Sequence, residues 1–313
     1  MFSYIVRRIL ATIPVMAVVA LFVFSLLHLS PGDPAAIIAG DTATVDDIAR
    51  IRQKLGLDQP LYIQFGTWLW ALLHGDLGIS IFTNLPVSKL IAQRVEPTVA
   101  LTISTLVISV LAAIPMGVLA AWKAGSWIDR VVMIFAVIGV SVPVFVLAYL
   151  LIYVFAIATD VLPVQGFVSI RDGIAPFLSH IAMPSLALAM VYTALIARMT
   201  RASMLDVLAQ DYIRTAQAKG LANDKVLVGH ALKNAAVPIV TIIGIGVALL
   251  ISGVVVTETV FAIPGLGRLT VDAILRRDYP IIQGIILIFS AAYVLVNLLV
   301  DLSYTFLDPR IRY

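Results

Sequence analysis

The chain has 313 residues, of which 61% are hydrophobic and only 12% charged, and its formal net charge is +3. Soluble globular proteins carry about 25% charged residues, so this composition excludes an ordinary soluble domain and indicates an integral membrane protein. The sequence has no cysteine, which excludes disulfides, thiol nucleophiles and thiolate metal sites. The small basic excess gives no indication of nucleic-acid binding.

Apolar runs long enough to cross a bilayer recur along the sequence. Helices satisfy their own backbone hydrogen bonds in hydrocarbon, so we predict an all-α, polytopic membrane protein with six transmembrane helices. The first run is longer than the core of a signal peptide, and no small-residue cleavage site follows it promptly, so we interpret it as an uncleaved span. The six predicted spans cover about 9–29, 98–122, 131–158, 181–198, 236–257 and 284–306.

These spans divide the chain into three predicted parts. The N-terminus with the first span covers 1–29, an extracytoplasmic segment covers 30–96, and a membrane core covers 97–313. The core contains the second to sixth spans and a polar loop at 199–235. The 30–96 segment is the longest part outside the membrane and is predicted to be partly folded.

The distribution of lysine and arginine predicts the orientation. Twelve basic residues lie on the side that holds both termini and the 199–235 loop, and nine lie on the other side, whose segments are longer. The excess of basic residues marks the cytoplasmic side, so both termini are predicted to be cytoplasmic. Three arginines on the outer side oppose this bias locally without reversing it: Arg268, Arg276 and Arg277.

The extracytoplasmic segment is predicted to contain two helices. Thr44 with Asp47 fits a capping box at the start of the first helix, and Gly56 fits its C-cap. The second helix runs through "LYIQFGTWLWALLH" and ends at Gly75. Two tryptophans on it, Trp68 and Trp70, fit interfacial anchors. A docking surface for an external partner is the alternative.

Enzymatic and metal-binding motifs are absent from the sequence. The glycines at 244–249 and 265–269 do not form a phosphate-binding loop, so the chain has no visible means of binding ATP itself. The four histidines are scattered, and no pair has metal-ligand spacing. No nucleophile elbow is present either. We therefore predict neither a catalytic centre nor a metal site in this chain.

Polar and small residues in the last two spans are candidates for a translocation path. Ionisable and polar side chains near spans often mark such a path, although Glu258 could equally be a solvated helix end. Small residues on membrane helices mark close helix packing at least as often, so packing remains the alternative for the glycines. The candidates are Gly246, Ser252, Gly253, Glu258 and Asn297.

The polar stretch at 211–235, "DYIRTAQAKGLANDKVLVGHALKNA", is patterned. Apolar residues recur every three or four positions on either side of Gly220, which predicts two amphipathic helices. Gly220 fits a left-handed C-cap between them. The pattern alone does not separate a helix lying on lipid headgroups from a helix that contacts protein.

This stretch resembles the EAA motif of the permease subunits of binding-protein-dependent ABC importers, in the form of the peptide/nickel/opine branch. The general motif opens with an acidic residue and an Ala-Ala pair, which "RTA" replaces here. Other blocks resemble the same family in the same order. They are "SPGDP", "LGLDQPLYIQFGTWL", "GDLGIS", "ARMTRASMLDVL", "ETVFAIPGLGRL", "RRDYPIIQG" and "LDPRIRY".

The resemblance implies a type I importer fold in a bacterial inner membrane, with 97–313 as the core permease domain. It implies three kinds of protein partner within the lipid bilayer system: a second homologous permease, two ATPase subunits that hold ATP and Mg²⁺, and an extracytoplasmic solute-binding protein. No cofactor is expected on this chain. The family's coupling helix, which contacts the ATPase, maps onto Tyr212, Arg214, Thr215, Ala216, Lys219, Gly220 and Leu221.

Di- and oligopeptides are the cargo that the resemblance favours. Nickel chelates, glutathione or opine-like solutes carried by the same machinery are the alternatives within the family. A stand-alone secondary transporter is a further alternative, but the sequence lacks the ionisable pairs at mid-membrane that such carriers use.

Overall fold

The computed structural model describes residues 2–29, 35–36, 44–54 and 56–307. The described residues are predominantly helical, and they contain no β-strand. The helices are α1 (Phe2–Leu29), α2 (Val45–Lys54), α3 (Leu61–Leu73), α4 (Val87–Trp122), α5 (Trp127–Ser141), α6 (Val144–Leu151), α7 (Ile174–Leu208), α8 (Asp211–Ala218), α9 (Lys233–Val260), α10 (Leu266–Arg276) and α11 (Tyr279–Leu307). Two π-helical segments, Ile152–Ala158 and Lys225–Leu232, extend α6 and precede α9.

Among the residues that the structure describes, five helical stretches are long and apolar enough to cross a membrane: Val6–Leu27, Val87–Trp122, Ile174–Leu208, Lys225–Ile251 and Tyr279–Thr305. A sixth candidate is the pair Trp127–Ser141 and Val144–Ala158, which is bent by 102°. The prediction of an all-α protein is confirmed. The number of spans is six when the bent pair is one span.

The third predicted span is broken at Pro143. Val142 is extended, with φ −86° and ψ 123°, and α6 begins directly after Pro143. A residue before proline avoids the helical region because the pyrrolidine ring crowds it, and proline cannot donate the next backbone hydrogen bond. Pro115 lies inside α4, which remains continuous. The two prolines therefore have different effects in helices of similar composition.

The two helices predicted within 30–96 lie close to their predicted positions. In α2, Ile48 N–H donates to the Thr44 carbonyl at 3.1 Å, and Gly56 adopts φ +67°, as the C-cap prediction requires. The second helix, α3, is followed by Gly75 at φ +81°. The Asp47 side chain and the "SPGDP" block lie outside the described residues, as does the chain from 308 onward.

The chain separates into two compact units. One comprises 1–5, 94–268 and 293–313, and α7 is its central helix, packed against α5, α6 and α9. Small and aliphatic side chains such as Leu188 and Val254 form its core.

The other unit comprises 6–93 and 269–292. Its core joins Val23, Leu287 and the half-buried Trp68. Trp68 packs against Phe24 at 5.8 Å between ring centroids, whereas Trp70 remains exposed. Trp68 therefore has an internal packing role, and the choice between anchor and docking surface stays open for Trp70.

Candidate coupling surface and translocation path

The segment around Gly220 forms a short helix with a defined end. Gly220 adopts φ +79°, and its N–H donates to the Gln217 carbonyl at 2.9 Å. Leu221 N–H donates to the Ala216 carbonyl at 3.3 Å. These two bonds are the Schellman pattern, in which a left-handed residue closes the last helical turn. The predicted C-cap at Gly220 is therefore confirmed, and α8 is a rigid, self-terminated helix.

The apolar side of α8 packs on protein. Ile213 is only 1% exposed. It belongs to a cluster of buried residues from α4, α7 and the π-helix, which are Ala121, Met204, Val226, Leu227 and Ala231. The alternative in which this face lies on lipid headgroups is wrong for Ile213. The cluster fixes α8 against the ends of two long apolar helices.

The opposite side of α8 is polar and open. Tyr212, Arg214, Thr215 and Lys219 are exposed, and Ala216 is half-buried. Arg214 lies 3.5 Å from Asp211, but both side chains are well exposed, so this ion pair adds little stability. A Cβ placed on Gly220 would meet no atom within 4 Å. The surface thus combines exposed charged groups with small residues that permit close approach of a partner.

Beyond Gly220 the chain leads directly into the fifth span. The π-helix Lys225–Leu232 runs without a break into α9. Val226 and Leu227 are buried in the same cluster as Ile213. A displacement of α8 would therefore reach α9 through a shared apolar core and through a continuous helix.

A buried ion pair lies at the same end of this unit. Asp129 is 5% exposed and accepts two hydrogen bonds from Arg201, at 2.5 Å from Nε and 2.7 Å from a terminal nitrogen. Gly125 N–H donates to the same carboxylate at 3.0 Å. This bidentate pair ties the start of α5 to α7. The sequence prediction missed it, because the partners are 72 positions apart.

Glu258 is buried. It is 0% exposed, and its carboxylate accepts from the Thr98 hydroxyl at 2.5 Å and from Arg268 N–H at 3.0 Å. The Thr98 oxygen in turn accepts from Leu266 N–H at 2.8 Å. The prediction of a solvated helix end is wrong, because the carboxylate instead joins α4 and α9 to the first turn of α10. A role for Glu258 in the translocation path stays a prediction. The hydrogen bonds among Glu258, Thr98 and the backbone of α10 link three helices, and we call this set of contacts the bracket at Glu258.

The other path candidates lie in different environments. Gly246 and Gly253 face α7, where an added Cβ would lie 3.4 Å from the Tyr192 ring and 3.1 Å from the Leu188 side chain, respectively. These contacts favour the packing alternative for both glycines. Asn297 is exposed and donates to the Tyr293 carbonyl at 3.1 Å. The Ser252 side chain lies outside the described residues. Their roles in a path remain predictions.

Within the described residues, no group of three or more acidic, histidine or cysteine side chains is placed to hold a metal ion.

Two family profiles together cover most of the chain. The profile described as "binding-protein-dependent transport system inner membrane component" matches 113–313, and its N-terminal counterpart matches 1–102. The chain belongs to this family of inner membrane transport components.

Relatives of this permease match it over their full length. A probable peptide ABC transporter permease protein of Sinorhizobium fredii is 56% identical over 99% of both chains. A putative peptide transport system permease protein of Brucella abortus is 46% identical over 100% of both. The glutathione transport system permease protein of Salmonella typhi is 44% identical over 100% of both.

The fold is also known from a solved structure. A chain of the MetNI methionine ABC transporter, in an inward-facing conformation, matches with a TM-score of 0.58 at 18% identity. The match covers 70% of this permease and 96% of that chain. The predicted type I importer fold is confirmed, and so is the prediction of a multi-pass permease subunit of an ABC importer in the inner membrane.

Proposed function

We propose that this permease forms, with a second homologous permease, the translocation path of an ATP-driven importer for di- and oligopeptides. Two partner ATPases supply the energy and hold ATP and Mg²⁺, and an extracytoplasmic solute-binding protein delivers the cargo. Relatives named as peptide permeases, which match over the whole chain, support the cargo class. A relative named as a glutathione permease supports glutathione as the second candidate cargo.

The observation that carries the energy-coupling part is the geometry of α8. Its polar face is exposed and its apolar face is anchored through Ile213, so it offers a firm surface to a partner. The continuous helix from Lys225 to Val260 then connects this surface to the fifth span. An ATPase that binds one conformation of α8 more tightly would bias the permease toward that conformation by the difference in affinity.

Bulky or charged substitutions on this surface test the coupling. In proteoliposomes that contain all subunits, Ala216→Arg or Gly220→Trp is expected to abolish ATP-dependent uptake of a labelled dipeptide. Gly229→Trp is the matched control, because Gly229 also has no atom within 4 Å of an added Cβ but lies outside the predicted contact. Membrane levels of all variants are measured in parallel. Uptake at the parent rate in both α8 variants would disprove the coupling surface.

The proposed orientation, with both termini in the cytoplasm, is tested by thiol labelling. The chain has no cysteine, so a single introduced cysteine reports one position. Gln217→Cys on α8 should react with a membrane-impermeant maleimide only from the cytoplasmic side. Ser88→Cys, also exposed, should react only from the outer side. The reverse labelling pattern would reject the proposed orientation but would leave the description of the fold unchanged.

Cargo is tested separately. The ligand retained by the co-encoded solute-binding protein after mild purification identifies the solute class, by mass spectrometry of the denatured protein. Di- or oligopeptides are expected. Retention of glutathione alone would favour the glutathione alternative, and retention of a nickel chelate or an opine would reject the peptide assignment.

A further inference from the structure

Two exposed apolar stripes end in tryptophan on either side of the loop between α4 and α5. On α4 the exposed side chains recur at helical spacing and lead to Trp122, and on α5 a similar stripe begins at Trp127. Trp122 is 43% exposed and Trp127 is 72% exposed. The stripes comprise Val99, Ile103, Val107, Leu111 and Leu119 on α4, and Val131, Ile134 and Ile138 on α5.

The position of both indoles indicates the headgroup level of a bilayer. Exposed apolar stripes on membrane-spanning helices face hydrocarbon, and tryptophan concentrates where hydrocarbon meets the headgroups. The loop lies at the end of the bundle that holds α8, because Ala121 and Ile213 share one buried cluster. On the orientation of the proposed function, on which this inference rests, that end is cytoplasmic.

The outward charge of the loop is positive. Lys123 and Arg130 are exposed, and the Lys123 ammonium lies 4.5 Å from the centre of the Trp122 ring. Asp129, in the first turn of α5, is the single acidic residue of the segment 122–130. Its carboxylate is buried and accepts hydrogen bonds from Arg201 and from Gly125 N–H, so the exposed charges of residues 122–130 are those of Lys123 and Arg130.

The conformation of the loop is fixed by internal bonds. Gly125 adopts φ +77°, and Ser126 N–H donates to the Lys123 carbonyl at 3.0 Å. Together with the bonds to Asp129, these contacts fix the backbone that carries Lys123 and Arg130 without the help of a ligand. A pre-formed site of this kind binds with little ordering cost.

We propose that residues 122–130 form a headgroup site for an anionic phospholipid in the cytoplasmic leaflet. The two indole rings lie on either side of the lipid at the level of its glycerol group, and Lys123 and Arg130 bind its phosphate. A lipid fits this site better than a protein partner because the site lies at the end of the two exposed apolar stripes on α4 and α5. The polar face of α8, which is the proposed protein contact, has no such apolar stripe beside it. Juxtamembrane cations attract anionic lipids, and each contributes a factor of about five in local preference.

Lipid-dependent fluorescence quenching tests the site in the assembled transporter. Ala124→Cys, an exposed loop position, is labelled with bimane in a complex whose partner subunits lack cysteine. The complex is placed in phosphatidylcholine vesicles that contain a minor fraction of phosphatidylglycerol, with brominated chains on one lipid or the other. Brominated phosphatidylglycerol should quench the bimane fluorescence more strongly than its fraction of the total lipid predicts. Added salt should reduce this excess quenching.

Charge removal identifies the residues responsible. The double substitution Lys123→Gln with Arg130→Gln is expected to reduce the excess quenching by phosphatidylglycerol by about fivefold per cation. The matched control is Lys89→Gln with Arg171→Gln, which removes two exposed cations on the predicted outer side and should leave the excess intact.

Three results would overturn the proposal: no excess in the parent, an excess that survives loss of both loop cations, or no quenching by either lipid, which would mean that a subunit covers the loop. The measurement needs neither ATP nor cargo, so an error in the proposed function leaves its result unchanged.

Discussion

Two glycine turns, one at each predicted membrane surface, illustrate opposite uses of the same residue. Gly220 ends α8 with a positive φ and has open space around the position of a Cβ. Gly265 precedes α10, where an added Cβ would overlap the Glu258 carboxylate. The first glycine is required by the backbone conformation, and the second is required by the group packed against it.

The polar residues near each glycine differ in the same way. Arg214 and Lys219 point to solvent, and the one ion pair of Arg214 is exposed. Glu258 and Thr98 are buried and bond to each other and to backbone N–H groups. A motif rich in polar residues can therefore mark either a surface for a partner or a set of internal contacts between helices. Burial and satisfied hydrogen bonds separate the two.

The largest effect is expected from Gly265→Ala. The new methyl group overlaps the buried carboxylate of Glu258, so the bracket must shift, and overpacking of this kind costs about 2–3 kcal/mol. The thermal midpoint of the purified transporter, measured by intrinsic fluorescence or by aggregation, should fall by several degrees. Gly229→Ala is the control, because its surroundings are open. Equal thermal midpoints for the two variants would show that Gly265 is not required by the Glu258 carboxylate packed against it.

Thr98→Val is expected to cost about 1.5 kcal/mol, because it removes two buried hydrogen bonds, one of them to a carboxylate. The shape of the side chain is nearly unchanged, so packing contributes little. Thr102→Val is the matched control one turn along α4, since the Thr102 hydroxyl bonds to the Thr98 carbonyl of its own helix. A comparable drop in midpoint for both variants would show that the bracket at Glu258 adds nothing beyond a local helix contact.

The success of prediction from sequence follows the range of the interactions involved. The long apolar runs, the outer helices and the turn at Gly220 depend on composition, periodicity and capping, which act within a few residues. Local signals of this kind can be recognised without a structure.

The buried polar pairs depend on contacts that no local pattern contains. Thr98 meets Glu258 across 160 positions, and Asp129 meets Arg201 across 72. Of these residues the sequence singled out only Glu258, as a path candidate or a solvated helix end. The break at Pro143 was also missed, because a proline in a span can be accommodated, as Pro115 is, or can end the helix. Neighbouring helices decide between these outcomes, and they are not adjacent in the sequence.

Gly220→Ala should have a smaller effect than either change at the bracket. A residue with a Cβ pays about 1 kcal/mol to hold the left-handed conformation, and the open surroundings add no clash. Gly220→Asn should recover part of this loss, since asparagine tolerates that conformation better. Thermal midpoints of the two variants measure the difference. An alanine variant as stable as the parent would mean that the turn adopts another conformation in the assembled transporter.

Arg214→Gln combined with Lys219→Gln is expected to have the smallest effect on stability. This double substitution also separates the α8 surface most clearly from the bracket at Glu258. Both side chains are exposed, so the thermal midpoint should change by less than the equivalent of about 0.5 kcal/mol. If they contact the ATPase, peptide uptake and cargo-stimulated ATP hydrolysis should nevertheless fall severalfold. The conservative control is Arg214→Lys with Lys219→Arg, which keeps both charges. A loss of stability without a loss of uptake would place this surface with the bracket at Glu258, as an internal support and not a contact for a partner.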